Sequence, residues 1–272
     1  MIIDFHTHIF PETIAAKTIA SLEQRAHIAA LTNGTLEDLK RSMYESNITT
    51  SVILPVVTNP SQFTSINEYA AMITGKDGII SFGGIHPDSY NYIEELDKIH
   101  SLGLLGIKLH PDYQSTFIDD ERYLRIMEYA LNLDLIIVIH AGIDVGLPTP
   151  IHCSPQRSKK AIDIVLSKTT NPAPKLVLAH TGGFGLWEEV LTYLVKTPVY
   201  FDLSYSLGMI PTQTLLKIIH EHGSEHILFA TDSPWGGQKE TLEKFLELPL
   251  DKNVQDNILY KNACNLLNLK EN

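Results

Sequence analysis

Residues 135–142 read LIIVIHAG. Five apolar residues in succession leave no polar face for water, which suits a strand covered on both sides, as in a parallel sheet flanked by helices. A histidine, His140, ends the run, and from 142 to 155 glycine and proline become frequent, which predicts a loop. The same pattern returns at 175–183, KLVLAHTGG, where His180 closes the run. Outward from these two, short stretches rich in Ile, Val, Leu and Phe lie at 2–5, 51–57, 79–85, 104–109, 135–139, 175–179, 199–203 and 227–230. Each is followed by a segment of helical period. Eight such units joined by right-handed crossovers predict a (β/α)8 TIM barrel, parallel strands inside and helices outside, as a single domain over 1–272. An open doubly wound sheet is the structural rival.

Local signals agree with this pattern. Thr35-Leu-Glu-Asp38 predicts a helix start, and 121–131 carries apolar residues at helical spacing. The insertion at 9–47 has room for two helices, the loop at 142–155 should cover the barrel mouth, and 254–269 predicts a closing helix containing Asn262 and Ala263.

Composition narrows the function. A formal charge of −11 opposes nucleic acid and, more weakly, anionic membrane surfaces, because phosphate binding needs a positive field. The hydrophobic share of 44% can build a large core, but no apolar run approaches membrane-spanning length. Two distant cysteines, Cys153 and Cys264, form no metal-type pair and point to a reducing, cytoplasmic setting. The first strand opens at Ile2, which leaves no space for a signal peptide. The expected partner is a small molecule rather than nucleic acid or membrane, and self-association into a homo-oligomer stays open.

The chemistry is concentrated where strands end. The run ends read DFHTH (4–8), GGIHP (83–87), GIKLHP (106–111), VIHAG (138–142), LAHTGG (178–183) and FATDSPWG (229–236). In a barrel of parallel strands these C-terminal ends meet on one face, where catalysis takes place. Six of the 12 histidines (His6, His8, His86, His110, His140 and His180) sit there. Side chains two apart on a strand share a face, so His6 and His8 can reach one ion. A lone His-x-His is more often a pair of hydrogen-bonded histidines; histidines and an acid arriving in order from separate strands make a metal site the better explanation. Asp232 could serve as a turn or cap residue. It follows an apolar strand, however, where an unpaired carboxylate would be costly and a cation would supply the partner. Strand phasing puts Lys108 and His110 opposite Ile107 and Leu109, so Lys108 points inward and needs an anion: a substrate carboxylate, an acid such as Asp4, or its own carboxylated form. Phe10, Tyr113, Phe184, Tyr205 and Trp235 lie near strand ends, where packing alone would explain most aromatics.

Taken in order, these motifs resemble the amidohydrolase superfamily, and within it amidohydrolase family 2, over essentially the whole chain. The resemblance implies a divalent ion, commonly zinc, with manganese or another metal as alternatives. It implies that His6, His8, His140 and Asp232 hold that ion, and that His180 is a catalytic group or a ligand of a second ion. GIKLHP is similar to the strand-four lysine motif in which a carboxylated lysine bridges two ions, and this would make Lys108 a ligand too. The expected activity is metal-dependent hydrolysis of an amide, lactone or ester in a small anionic substrate. In that scheme Asp232 moves the proton, the metal or His180 polarises the carbonyl, and Lys108, His86, His110, His152 and Arg157 hold the substrate. The same shell serves non-oxidative decarboxylation of an aromatic or unsaturated acid. A non-catalytic ligand-binding barrel is the third option.

Overall fold

The computed structural model describes residues 1–147 and 150–270. The strands are β1 (Ile3–Thr7), β2 (Thr50–Ile53), β3 (Ile79–Ser81), β4 (Gly83–Gly84), β5 (Gly106–Leu109), β6 (Ile136–Ile139), β7 (Leu176–Leu178), β8 (Tyr200–Asp202) and β9 (Ile227–Leu228). β3 and β4 are two halves of one strand broken at Phe82, so every expected run forms a strand. Pairing is parallel throughout, in the orders β1-β2-β3 and β4-β5-β6-β7-β8-β9. The ring closes between its first and last strands: Phe5 N donates to Phe229 O (2.9 Å), Asp232 N to His6 O (2.9 Å) and His8 N to Ser233 O (2.6 Å). Thr7 and Ser233 form a parallel bridge at the same seam. The molecule is the (β/α)8 barrel that the alternation predicts, rather than an open sheet.

The helices are α1 (Glu12–Ala26), α2 (Leu36–Ser46), α3 (Phe63–Ile73), α4 (Tyr92–Ser101), α5 (Glu121–Asn132), α6 (Pro155–Lys168), α7 (Trp187–Tyr193), α8 (Thr212–His222), α9 (Gln238–Leu246), α10 (Lys252–Asp256) and α11 (Asn262–Leu267). The insertion after β1 holds two helices, as expected, and Thr35 caps the second by accepting from Asp38 N. The predicted closing helix is corrected in one respect, since a π-helical stretch at Asn257–Lys261 divides it. Ile258 O accepts from Phe229 N, so this carbonyl is diverted from the helix to the barrel. The mouth loop stops one residue short of the expected boundary, because Ser154 caps α6 and Pro155 is its first residue. Pro148 and Thr149, within that loop, lie outside the described residues. Gly142 anchors the loop where a Cβ would come 2.1 Å from Phe184 N.

Two apolar layers explain why the strands are hydrophobic on both faces. Phe5, Val52, Phe82, Ile136, Val138, Val177 and Leu228 fill the interior, together with Ala263 and Leu267 from α11. Ile107, Leu109, Ile137, Ile139, Leu176 and Leu178 face outward against the helices. In β1 the register with β2 shifts between Asp4 and Thr7. Phe5 and its neighbour His6 therefore both serve the interior, the first in the core and the second at the mouth.

Asp4 fastens the seam from within. Its buried carboxylate accepts from Thr231 N (2.9 Å), Thr231 Oγ1 (2.6 Å) and Gln238 Nε2 (2.8 Å), joining β1, the segment after β9, and α9. Asp4→Ala should lower the unfolding free energy by roughly 2–4 kcal/mol, because it leaves buried donors unsatisfied at the closure. A urea titration that superimposes on wild type would contradict this role.

Candidate metal centre

Three strand-end residues meet at the seam. His6 Nε2 and His8 Nε2 lie 3.1 Å apart, and Asp232 Oδ1 is 3.3 Å from the first and 3.2 Å from the second. The outer nitrogens fix the protonation. His6 Nδ1 donates to Asp202 Oδ2 (2.9 Å), and His8 Nδ1 donates to the carbonyl of Leu54 (2.8 Å). In the neutral rings both Nε2 lone pairs then face one another and a carboxylate oxygen. Such a point is repulsive unless a cation occupies it, and two imidazoles plus a carboxylate suit a divalent metal. These three residues could hold an ion.

Strand ends supply the aim. Asp232 follows β9 with φ 68°, and His180 follows β7 with φ 59°. Both lie in the left-handed region that non-glycine residues seldom occupy, and such strain clusters at functional sites. Burial pushes the His6 imidazole down to about 3, with the Lys108 charge adding to the effect, so it stays neutral and available as a donor. Burial works to raise the Asp232 carboxyl. The adjoining His8, with His6 and His180 nearby, outweighs it and holds Asp232 down at about 2. Asp202 is likewise kept ionised, well below the usual carboxylate range, by His6 against the effect of burial.

Lys108 points inward, as its phasing predicts, and is 1% exposed. Its partner is not Asp4, which the seam occupies; Nζ lies 3.1 Å from His6 Nε2. Burial pulls the ammonium down to about 8.

The remaining expected ligand, His140, stands beside the three rather than among them. Its Nδ1 is 2.9 Å from His180 Nε2, and His180 Nδ1 donates to Ser204 O at 3.0 Å. The far nitrogen, His140 Nε2, is buried without a hydrogen-bond partner among the described residues, 3.9 Å from Asp112 Oδ2 and 4.0 Å from Asp144 Oδ2. A proton on that nitrogen would face two carboxylates favourably. It would also leave two lone pairs, on His140 Nδ1 and His180 Nε2, turned toward each other, which makes a second place for a cation. His110, Asp112 and His140 form a further group whose ligand atoms lie close together. His110 stacks on His140 with ring centroids 4.1 Å apart. Asp144 lies 3.4 Å from His110 Nε2, and burial pushes its carboxyl up to about 6.

Of the residues expected to hold substrate, Lys108 and His110 line the cavity above the cluster, whose volume is about 590 Å³. The other three are placed elsewhere by local partners. His86 Nδ1 accepts from Asp88 N, and His152 Nδ1 pairs with Asp112 Oδ1 at 2.9 Å. Arg157 binds Asp119 at 2.6 Å and covers the ring of Phe117. None of these three borders the cavity, whereas Phe10, Tyr113, Phe184, Tyr205 and Trp235 all do. Sequence reasoning overlooked Asp202, Ser204, Asp112 and Asp144. For Asp202 a signal existed: an acid within the apolar run VYFDL, as Asp4 lies in IIDF.

Comparison with known proteins agrees with this fold. No curated protein sequence matches the chain. Among solved structures, an uncharacterized Tim-barrel protein from Bordetella bronchiseptica superposes with a TM-score of 0.78 at 20% identity, covering 98% of each chain. A dihydroxybenzoic acid decarboxylase from Polaromonas sp. JS666, with bound manganese and the inhibitor 2-nitroresorcinol, gives 0.72 at 19% identity, covering 100% of this chain and 98% of that one. The 5-carboxyvanillate decarboxylase from Sphingomonas paucimobilis gives 0.69 at 15%, covering 99% of each. At such identity the likeness establishes the fold. The amidohydrolase family model matches residues 3–269, and the chain belongs to the amidohydrolase family.

Proposed function

We propose that this protein is a metal-dependent, non-oxidative decarboxylase of an aromatic or unsaturated carboxylic acid. In this proposal His6, His8 and Asp232 hold the ion, and His140 and His180 stand beside it. One observation carries the choice of reaction: the converging donors form the floor of a cavity whose walls are mainly apolar and aromatic. Among its described lining residues Lys108 is the one lysine or arginine. Such walls strip water from a carboxylate, and charge that becomes dispersed as carbon dioxide leaves is tolerated there better than a compact anion. The decarboxylases among the solved structures, one with manganese and a resorcinol inhibitor, support the same choice. This reverses the order of preference that the sequence motifs suggest, with decarboxylation ahead of hydrolysis.

When bound, zinc, manganese or another divalent ion would supply positive charge that orients the acid and offsets its negative charge. The chain's own residues do the rest. Asp202 and the Leu54 carbonyl hold the rings of His6 and His8 with Nε2 turned to the floor. Lys108 attracts the carboxylate, and Phe184, Tyr205 and Trp235 flank the body of the substrate. Asp232, ionised at rest, takes a proton from an acidic group of the substrate or from water and delivers it to carbon. The electron pair of the broken carbon–carbon bond stays on that carbon and accepts the proton as carbon dioxide departs.

Hydrolysis remains the second reading because of Lys108. A buried amine brought down to about 8 and placed 3.1 Å from His6 is of the kind that adds carbon dioxide to become an anionic carbamate, a ligand suited to two ions. Mass measurement of the native protein for one added carbon dioxide would support it.

Two outcomes test the main proposal. Chelator-stripped protein should melt at higher temperature when zinc or manganese is restored, a gain of about 2.7 kcal/mol at a hundredfold excess over Kd. His8→Ala should remove that gain, and an unchanged melting curve in wild type would count against the metal site. Second, metal-loaded enzyme given hydroxybenzoates in D2O should release carbon dioxide and place one deuterium on the vacated carbon. Asp232→Asn, reloaded with metal, should lower kcat by about 10²–10⁴. Cleavage of amides or lactones without any carbon dioxide would overturn the reaction.

A further inference from the structure

The cavity is far larger than its metal floor. Its volume of about 590 Å³ falls within the range of roughly 300–1,000 Å³ that encloses drug-sized ligands, and a single-ring acid fills only part of it. The excess is bounded by α1 and α3. On α1, Ile14, Thr18, Leu22 and Ala26 recur every fourth residue and line the cavity, while the neighbouring stripe of Ala15 and Ile19 packs into the body of the protein. The cavity stripe is not core, because Thr18, Leu22 and Ala26 are only half-buried and Ile14 is exposed. Opposite them α3 presents Ile66, Tyr69 and Ile73 at helical spacing. Among the described residues none of those that α1 and α3 contribute to this wall is charged.

The rim repeats the pattern from a third side. Ile143 and Val145, on the loop after β6, line the same cavity and are 37% and 50% exposed. Exposed aliphatic side chains gathered around one opening mark a binding surface for apolar matter. The walls are continuous with the floor, so a molecule whose acid group reaches His6, His8 and Asp232 can extend along them.

We infer that the substrate is an amphiphile: a carboxylic acid head at the metal floor, carrying an alkyl or alkenyl chain that lies between α1 and α3. This rests on the decarboxylase reading for the nature of the head, but the chain pocket stands on the walls alone. It also argues against a second anionic group on the substrate, since none of the described residues that α1 and α3 bring to the chain pocket is a cation. Each methylene buried there should tighten binding roughly two- to fourfold until the pocket is filled.

A chain-length series tests this by equilibrium binding, which requires no turnover. Calorimetric titration of the metal-loaded protein with 4-alkyl-2-hydroxybenzoates, from methyl to octyl, should show affinity rising with each added carbon and then levelling. Leu22→Glu and Ile66→Asp each place a carboxylate in the pocket and should flatten the series. A flat series in wild type, or a rise that neither variant changes, overturns the inference. The two proposals fail separately. A rising series without carbon dioxide release would remove the reaction and keep the pocket; carbon dioxide release from the methyl compound with a flat series would do the reverse.

Discussion

The backbone hydrogen bond from Asp232 N to His6 O, 2.9 Å long, does two things at once. It closes the barrel by joining the segment after the last strand to the first strand, and it brings together residues whose side chains form the candidate metal centre. Asp4 reinforces the same seam two residues earlier on β1 through Thr231 and Gln238. Fold closure and ligand geometry are therefore one constraint, because any loosening of the seam would separate Asp232 from the two histidines. Placing the site there lets strand pairing hold ligand positions more firmly than a loop could.

Electrostatics around the seam follow a consistent division. Apart from Lys108, the groups turned toward the floor present lone pairs or negative charge, and those behind them hold the proton-bearing nitrogens in place. Asp202 does this for His6 and the Leu54 carbonyl for His8, and the Ser204 carbonyl does it for His180. Such backing fixes which nitrogen can bind an ion, and without it each imidazole could swap its donor and acceptor edges. His140 differs in having no firm backing. Its outer nitrogen faces Asp112 and Asp144 at about hydrogen-bond length plus one ångström, and its inner one meets His180 directly. Whether a second cation could sit there thus turns on the His140 proton, which the two carboxylates attract.

Much of this was legible in the residues alone, for physical reasons. Strands buried on both faces must be continuous apolar runs, so 135–139 and 175–179 announce themselves, and their ends expose the histidines. Period-two phasing correctly turned Lys108 inward. What phasing does not give is the partner: Asp4 is a fair candidate by sequence, but the seam consumes its carboxylate. Long-range contacts defeat sequence reasoning in the same way at His152 and Arg157, each held by an acid whose proximity only the fold determines, whereas His86 is turned by Asp88 two residues on. Asp202 was missed for the opposite reason, since a single acid in a strand that otherwise ends without histidine drew no notice. The π-helical break near Ile258 depends on a carbonyl shared with the barrel, and helical periodicity carries no trace of it.

The division of labour between strands and insertions bears on specificity. The strand ends are constrained by closure and, in the proposed function, by the ion they would hold, so they have little freedom to vary with substrate. The segment between β1 and β2 has no such duty, and it is there that α1 contributes its half-buried stripe over the floor. A wall built this way offers water few polar partners, and exclusion of water is also what separates the two chemistries open to the shell. Hydrolysis must admit water to the reacting carbon, whereas decarboxylation needs only one proton, which Asp232 can deliver. An apolar chain seated between α1 and α3 would complete that exclusion, so the feature that selects the substrate would also favour the loss of carbon dioxide over attack by water.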